Sequence, residues 1–307
     1  SDDQRKYRTE KDLEKDKKSD PLLIFQKKCI QKSIINEKEF LKIENKVKKA
    51  IEDEVDYVEE QNNPSPESAM KHLFSESEDL DNIASLTPKE VLDKIVMVDG
   101  INHALSEELE FNNKMLIYGE DVGGDKGGVF TATRGLAKKF GDDRVFNSPL
   151  AESSIIGTAI GLSVMGYKPV VEIQFGDYIW PAMMQIRNEV ATMRYRSNGN
   201  WSCPLVIRVP VGGYIHGSLY HSQSIDGYFS HTPGLKVVYP SNASDAKGLL
   251  KYACRCDDPV LFLEHKGIYR QGFAASPEPD NDFLLPFGKA KIVQEGTDLT
   301  IVTWGAI

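Results

Sequence analysis

Residues 144–174 read RVFNSPLAESSIIGTAIGLSVMGYKPVVEIQ, and the change of character along them decides the fold. A short branched run, Arg144-Val145-Phe146, gives way to Ser148-Pro149-Leu150-Ala151-Glu152-Ser153. The small-residue stretch from Ile155 to Gly166 follows, and then a second branched run, Pro169 to Gln174. Strand, helix and strand in that order make a βαβ unit, in which the two strands lie parallel and the helix crosses one face. The helix is apolar all round and carries Gly157 and Gly161 four residues apart, so it is expected to be buried with another backbone close against it. Glu152 stands where the first strand hands over to this helix. A carboxylate there points into the crevice at the carboxyl end of a parallel strand, where open α/β sheets hold their ligands. The competing reading is a glutamate in the first helical turn, placed by the helix dipole.

Outward from this unit the alternation continues. Met115 to Tyr118 reads as a strand and the region around Arg134 to Phe140 as a helix. Beyond Gln174 come a helix from about Ile179 to Tyr195, a strand Leu205 to Val209, a helix Ala243 to Cys254 and a strand Pro259 to Leu263. Short branched strands between helices give a doubly wound, mostly parallel α/β sheet covered on both faces. Thr87-Pro88-Lys89-Glu90 has the pattern of a capping box and leads into helical Val98 to Phe111. Lys289 to Val293 and Leu299 to Thr303, after the Pro277-Glu278-Pro279 loop, read as the start of a further α/β unit.

Residues 1–60 form a charged helical tail. Asp20-Pro21 opens one helix, and Asn36 with Glu39 opens a second that carries Phe40, Ile43, Val47, Ile51, Val55 and Val58 on one stripe. Proline, asparagine, serine and acidic residues make 61–86 a linker. The α/β domain is expected over 87–283, and 284–307 as the truncated start of another. The chain begins at Ser1 without methionine and stops within Val302-Thr303-Trp304-Gly305-Ala306-Ile307, so it reads as a fragment of something longer.

A formal charge of -9 provides no basic field, which argues against nucleic acid and anionic membrane as partners. No run of 18 apolar residues exists to span a bilayer. The cysteines, Cys29, Cys203, Cys254 and Cys256, lack CxxC spacing, so neither a disulfide framework nor a zinc site is expected.

Four features fall at the carboxyl ends of the expected strands: Gly119-Glu120-Asp121-Val122-Gly123, Glu152, Phe175-Gly176-Asp177-Tyr178, and the segment Gly212-Gly213 through His221-Ser222-Gln223. Each alone has an ordinary structural explanation. Together on one rim they describe a site with acids, an aromatic plate and a histidine. Gly123 to Gly128 lacks GxGxxG spacing, no GxxxxGK[ST] loop is present, and Ser153 has no G-x-S-x-G elbow around it.

These motifs carry a resemblance. From about residue 97 onward the chain resembles the β subunit of the thiamine-diphosphate-dependent decarboxylating component of 2-oxoacid dehydrogenase complexes. The matching stretches are Gly119 to Gly123, Pro149-Leu150-Ala151-Glu152, the Met184 to Tyr195 helix, His216 to Gln223 and Pro233-Gly234-Leu235-Lys236-Val237-Val238-Tyr239-Pro240. Residues 1 to about 75 resemble the carboxyl-terminal tail of the α subunit, with Ser1-Asp2-Asp3 and Tyr7-Arg8 similar to the end of its regulatory loop. The resemblance therefore implies a fused α-β polypeptide with the pyrimidine-module fold. It also implies roles. The carboxylate at Glu152 hydrogen-bonds a ring nitrogen of the aminopyrimidine, favouring the imino form that removes the thiazolium proton, and the 2-oxoacid is then decarboxylated with the cofactor ring as electron sink. Tyr178 packs on the pyrimidine, and Gln174 joins Glu152 and Tyr178 as a cofactor-binding residue. Glu120 belongs to a polar connection between paired active sites. His221 assists acyl transfer to a lipoyl arm.

The resemblance further implies magnesium, held mainly by the α half, whose diphosphate motif does not occur in residues 1–307. It implies a potassium ion bound by backbone carbonyls at Leu205, Val206, Cys256 and Asp258, although Cys256 departs from the acidic residue usual there. The implied partners are the α portion, a lipoyl-bearing acyltransferase, a 2-oxoacid and further copies of the fused chain. The implied location is bacterial cytoplasm, or the mitochondrial matrix of a eukaryote. Within the family, His216 to Gln223 is most similar to the branched-chain, 2-oxoisovalerate branch, with pyruvate the alternative substrate. A transketolase-like or deoxyxylulose phosphate synthase relative would share the glutamate but not the H-S-Q loop followed by P-G-L-K-V-V. An inactive scaffold subunit would keep the apolar faces and lose the rim acids, so Glu120, Glu152 and His221 speak against it.

Overall fold

The computed structural model describes residues 3–77 and 79–307, so the Ser1-Asp2-Asp3 resemblance falls partly outside the described residues. The chain divides into two units, Ser1–Ser68 and Ala69–Ile307.

The first unit holds α1 (Glu10–Lys18), α2 (Pro21–Gln31) and α3 (Glu37–Glu59). Their starts follow from side chains that satisfy the free amides of a first turn. Asp20 accepts from the Leu22 amide at 2.8 Å. Asn36 accepts from the Glu39 amide at 2.9 Å while Glu39 accepts from the Asn36 amide at 3.0 Å, a reciprocal capping box. None of the three helices buries a residue, and the Ile43, Val47, Ile51, Val55, Val58 stripe of α3 is exposed.

In the second unit the elements run α4 (Asp79–Ile83), β1 (Val91–Ile95), α5 (Met97–Phe111), β2 (Met115–Gly119), α6 (Leu136–Phe140), β3 (Val145–Asn147), α7 (Glu152–Val164) and β4 (Lys168–Glu172). They continue with α8 (Met193–Arg196), β5 (Val206–Val211), α9 (Asp226–Phe229), β6 (Lys236–Val238), α10 (Ala243–Arg255), β7 (Val260–His265) and β8 (Ser276–Pro279). Six strands form one all-parallel sheet in the order β3-β2-β4-β5-β7-β6. Neighbouring residues in each central strand point to opposite faces and feed two separate cores. Val170, Val206 and Val260 pack with α5 and α10 on one face, and Val171, Ile207 and Leu261 pack with α7 on the other. No described helix is long and apolar enough to cross a membrane.

The order of strands positions the site. The chain leaves β2 toward one edge, to β3, and leaves β4 toward the other, to β5, so a crevice opens between the carboxyl ends of β2 and β4. Gly119 ends β2 in a place no other residue fits, because a Cβ there would lie 2.4 Å from the Glu172 backbone oxygen.

Four expectations need correction. Thr87 to Glu90 does not start a helix: the amides of Lys89 and Glu90 donate to the Asp280 carboxylate at 3.0 and 3.1 Å, and the chain enters β1. The Pro277-Glu278-Pro279 loop is part of β8, which pairs antiparallel with β1; proline suits this two-stranded edge because it has no ladder amide to lose. Between Ile179 and Tyr195 the helix is irregular, with a 3-10 turn at Trp180–Ala182 and a π-helix at Gln185–Val190. Lys289 to Val293 and Leu299 to Thr303 find no ladder partner and form no strand; Val293, Leu299, Ile301 and Val302 are exposed.

Helix α7 is a fifth. It buries Ile155, Ile156, Ala159 and Ser163 against the sheet, but its Gly157, Thr158 and Gly161 side is exposed, and a Cβ at either glycine would meet nothing within 4 Å. The close backbone that two glycines four apart call for is not supplied by the described residues of this chain.

Candidate functional site

Glu152 is the first residue of α7, reached from β3 by the exposed Pro149 and Leu150. It enters no ion pair among the described residues. Glu120 follows β2, half-buried, and its Oε1 is enclosed without a hydrogen-bond partner, as is the Ser148 hydroxyl after β3. Burial holds the Glu120 carboxyl above the usual carboxylate range, and the nearby charges of Glu152 and Asp121 push it further in the same direction. Two acids from separate strand ends thus feel one another across the crevice. Gln174, past the end of β4, bridges the same gap: its Nε2 donates to Asp121 Oδ2 at 3.1 Å and lies 3.4 Å from the Glu120 carbonyl.

The next rim position is aromatic. Phe175 is buried at the centre of an edge-to-face group, its ring centroid 5.2 Å from Tyr178, 4.7 Å from His221 and 5.7 Å from Phe130. The Tyr178 hydroxyl and His221 Nε2 are 2.8 Å apart. His221 Nδ1 lies 2.6 Å from the Gly217 carbonyl, which can only accept. The Gly217 carbonyl therefore assigns a ring proton to Nδ1, which leaves Nε2 as the nitrogen that faces the tyrosine hydroxyl. Strand β5 delivers His221 on a loop closed at its base, where the Gly212 amide donates to the Gln223 carbonyl at 3.0 Å and the Gln223 amide to Asp177 Oδ2 at 3.1 Å. Within that loop His216 (φ 53°) and Ser218 (φ 63°) hold left-handed backbone, a strain that side chains tolerate only where the surroundings impose it.

Residues not expected from the sequence support this rim. Lys266, 2% exposed after β7, donates to the Gly212 carbonyl and sits 5.7 Å over the Phe175 ring; burial pulls its ammonium down to about 8. Beneath the rim, Arg208 of β5 is wholly buried between two acids. Its Nε and one terminal nitrogen each donate to Glu264 at 2.7 Å, and the other donates to Glu172 at 2.8 Å. Tyr269 donates to Glu264 at 2.5 Å. Burial pushes Glu172 above the usual carboxylate range despite Arg208, while the two carboxylates more than offset the burial of Arg208 and keep it charged.

Of the expected site residues, Gln174 joins Glu120 at the β2–β4 crevice, Glu152 is near enough for its charge to act on Glu120, and Tyr178 bonds His221 directly with Phe175 beside both. The orphaned Glu120 Oε1 and Ser148 hydroxyl are what a polar ligand with hydrogen-bonding groups would satisfy, so the crevice has unmet partners to offer one. The potassium expectation fits less well. Cys256's carbonyl takes the Lys168 ammonium at 2.8 Å, Leu205's takes the Val260 amide at 3.0 Å and Asp258's takes the Cys256 thiol at 3.4 Å. Val206 lies between paired neighbours on both sides, β4 and β7. Among the described residues no group of three or more His, Cys, Asp or Glu is arranged to hold a metal ion.

Sheet order and rim together define an α/β domain with a crevice at a topological switch point, the place where open sheets of this kind bind ligands. The chain belongs to the transketolase pyrimidine-binding domain family, which matches residues 93–271. Residues 1–67 match the dehydrogenase E1 component family. The chain is 52% identical over 208 residues to the 2-oxoisovalerate dehydrogenase subunit beta of Bacillus subtilis, covering 68% of this chain and 63% of that protein. It is 47% identical over 214 residues to the pyruvate dehydrogenase E1 component subunit beta of the same organism, covering 70% and 65%. With the mitochondrial 2-oxoisovalerate dehydrogenase subunit beta of Dictyostelium discoideum it shares 50% over 214 residues, covering 69% and 57%. The chain thus spans less than two thirds of the length of these relatives. Among solved structures, a split gene transketolase described as an inactive beta4 tetramer superposes with a TM-score of 0.52 at 23% identity, covering 66% of this chain and 60% of that one, a likeness of fold.

Proposed function

We propose that the protein carrying this chain is the decarboxylating component of a 2-oxoacid dehydrogenase complex, dependent on thiamine diphosphate and acting on a branched-chain 2-oxoacid. The observation that carries the reading is the meeting of Glu120, Glu152, Gln174 and the Tyr178–His221 pair, delivered by four strand ends to one rim. When bound, the cofactor supplies the carbanion chemistry and the electron sink for decarboxylation. The chain's own residues orient it and handle protons. Glu152 offers a carboxylate to a ring nitrogen of the pyrimidine. Glu120, whose raised pKa lets it share a proton, sits beside it in the crevice. Tyr178 and Phe175 supply the apolar wall, and Gln174 fixes the turn after β2.

An E1-component segment ahead of a pyrimidine-binding domain in one polypeptide supports a fused α-β chain, with magnesium and the diphosphate held by the α half. The exposed Gly157–Gly161 side of α7 is the surface where a second polypeptide would approach. The branched-chain reading over the pyruvate one rests on the His216 to Gln223 stretch and on 52% against 47% identity. A hydrophobic pocket separates such substrates by only about 1–3 kcal/mol per methylene, or roughly 10- to 200-fold. With thiamine diphosphate and magnesium supplied, the full-length protein should turn over 3-methyl-2-oxobutanoate with a higher kcat/KM than pyruvate. The reverse order would make pyruvate the substrate, and turnover of neither would end the proposal.

His221 gives a second test, because it is held by Tyr178 and the Gly217 carbonyl rather than among the acids. His221→Ala is expected to reduce reductive acylation of a lipoyl domain by about 10²-fold or more, in the range of a lost acid–base group. Decarboxylation followed with an artificial electron acceptor should fall far less. Equal losses in both assays would remove the acyl-transfer role.

A further inference from the structure

Of the four carbonyls that the family resemblance assigns to a potassium ion, that of Cys256 is taken by one of the chain's own cations. Lys168 opens β4 and is 6% exposed, and its ammonium donates to the carbonyl of Cys256, the residue that caps the carboxyl end of α10. Carbonyls at a helix carboxyl end carry partial negative charge and attract a cation. Asp258, two residues on and 2% exposed, is engaged through its side chain instead. Its carboxylate accepts the Ser75 amide at 2.7 Å and pairs with Lys236 at 3.0 Å and Arg194 at 3.5 Å. Three positive side chains, Lys168, Lys236 and Arg194, thus gather at the carboxyl end of α10 and the amino ends of β4, β6 and β7. An ammonium presents the same unit charge to a carbonyl as a potassium ion does, and two such charges a few ångströms apart repel.

We propose that the Lys168 ammonium is a built-in replacement for a monovalent cation at this place, tying β4 to the end of α10, so that the stability of the protein does not depend on potassium. The location is the amino-terminal edge of the sheet, opposite the rim acids, so the inference stands apart from the enzymatic reading and is read by unfolding rather than turnover.

The full-length protein should have the same unfolding temperature in potassium chloride and in choline chloride at equal ionic strength. Lys168→Ala, which vacates the position, should unfold on the order of 2–4 °C lower or more in choline chloride and regain part of that loss in potassium chloride. Lys168→Arg should stay insensitive to the choice of cation. Stabilisation of the unaltered protein by potassium over choline would overturn the proposal, and so would a folded Lys168→Ala protein indifferent to potassium. Should Lys168→Ala fail to fold, the unaltered protein decides alone: insensitivity supports the proposal and a potassium-induced rise overturns it.

Discussion

Glu152→Gln in the full-length protein is expected to lower 2-oxoacid decarboxylation by about 10²- to 10⁴-fold, the contribution of a positioned acid–base group. Glutamine keeps the size and hydrogen-bonding reach of the side chain and removes its charge. The unfolding temperature should hardly move, because Glu152 is half-buried and enters no ion pair among the described residues; such substitutions stay within about 0.5 kcal/mol. The substitution also removes one of the charges that hold Glu120 above its ordinary range. The Glu120 carboxyl should therefore titrate at lower pH in the variant. Undiminished turnover, with the cofactor bound as tightly as before, would defeat the role given to this residue.

The second large effect is on stability. Arg208→Leu fills much of the same space but leaves Glu172 and Glu264 facing each other in the core without a cation. Removing one partner of a buried ion pair costs about 3–5 kcal/mol, so the loss should be of that size at neutral pH. The pH dependence has a definite sign. Burial already raises Glu172 above the usual carboxylate range, and without Arg208 the folded state would bind a proton there more readily than the unfolded chain does. Stability of the variant should then rise as the pH falls toward the carboxylate range and be lowest where both acids are ionised. A urea titration across that range tests it, and a loss below about 1 kcal/mol at neutral pH would mean that the ion group is not what holds β4, β5 and β7 together.

How much of this was readable beforehand depended on the distance over which the deciding interaction acts. The βαβ alternation around Arg144 to Gln174 was legible because it is local, and so were the caps at Asp20 and Asn36. Thr87 to Glu90 shows the limit: its helix-start pattern is real, but Asp280, far along the chain, takes the two amides and turns the segment into strand. The rim acids could be named from strand ends, whereas their mutual arrangement needed the strand order, which places β2 between β3 and β4. The buried ion group leaves a trace in the sequence. Glu172, Arg208 and Glu264 each interrupt an otherwise apolar run, and three opposing charges inside buried strands must find one another. Lys168 left none, since nothing local relates it to a carbonyl 88 residues away.

Arg208 does more than neutralise. Side chains on a strand alternate between faces, so a slip of β5 by a single residue against β4 and β7 would carry the guanidinium to the opposite core, among Val209 and Leu263, while stranding two carboxylates. A misaligned sheet would therefore carry the cost of an unpaired buried charge. The three charges act as a proofreading device for assembly, admitting one alignment of the central strands and rejecting its nearest competitors.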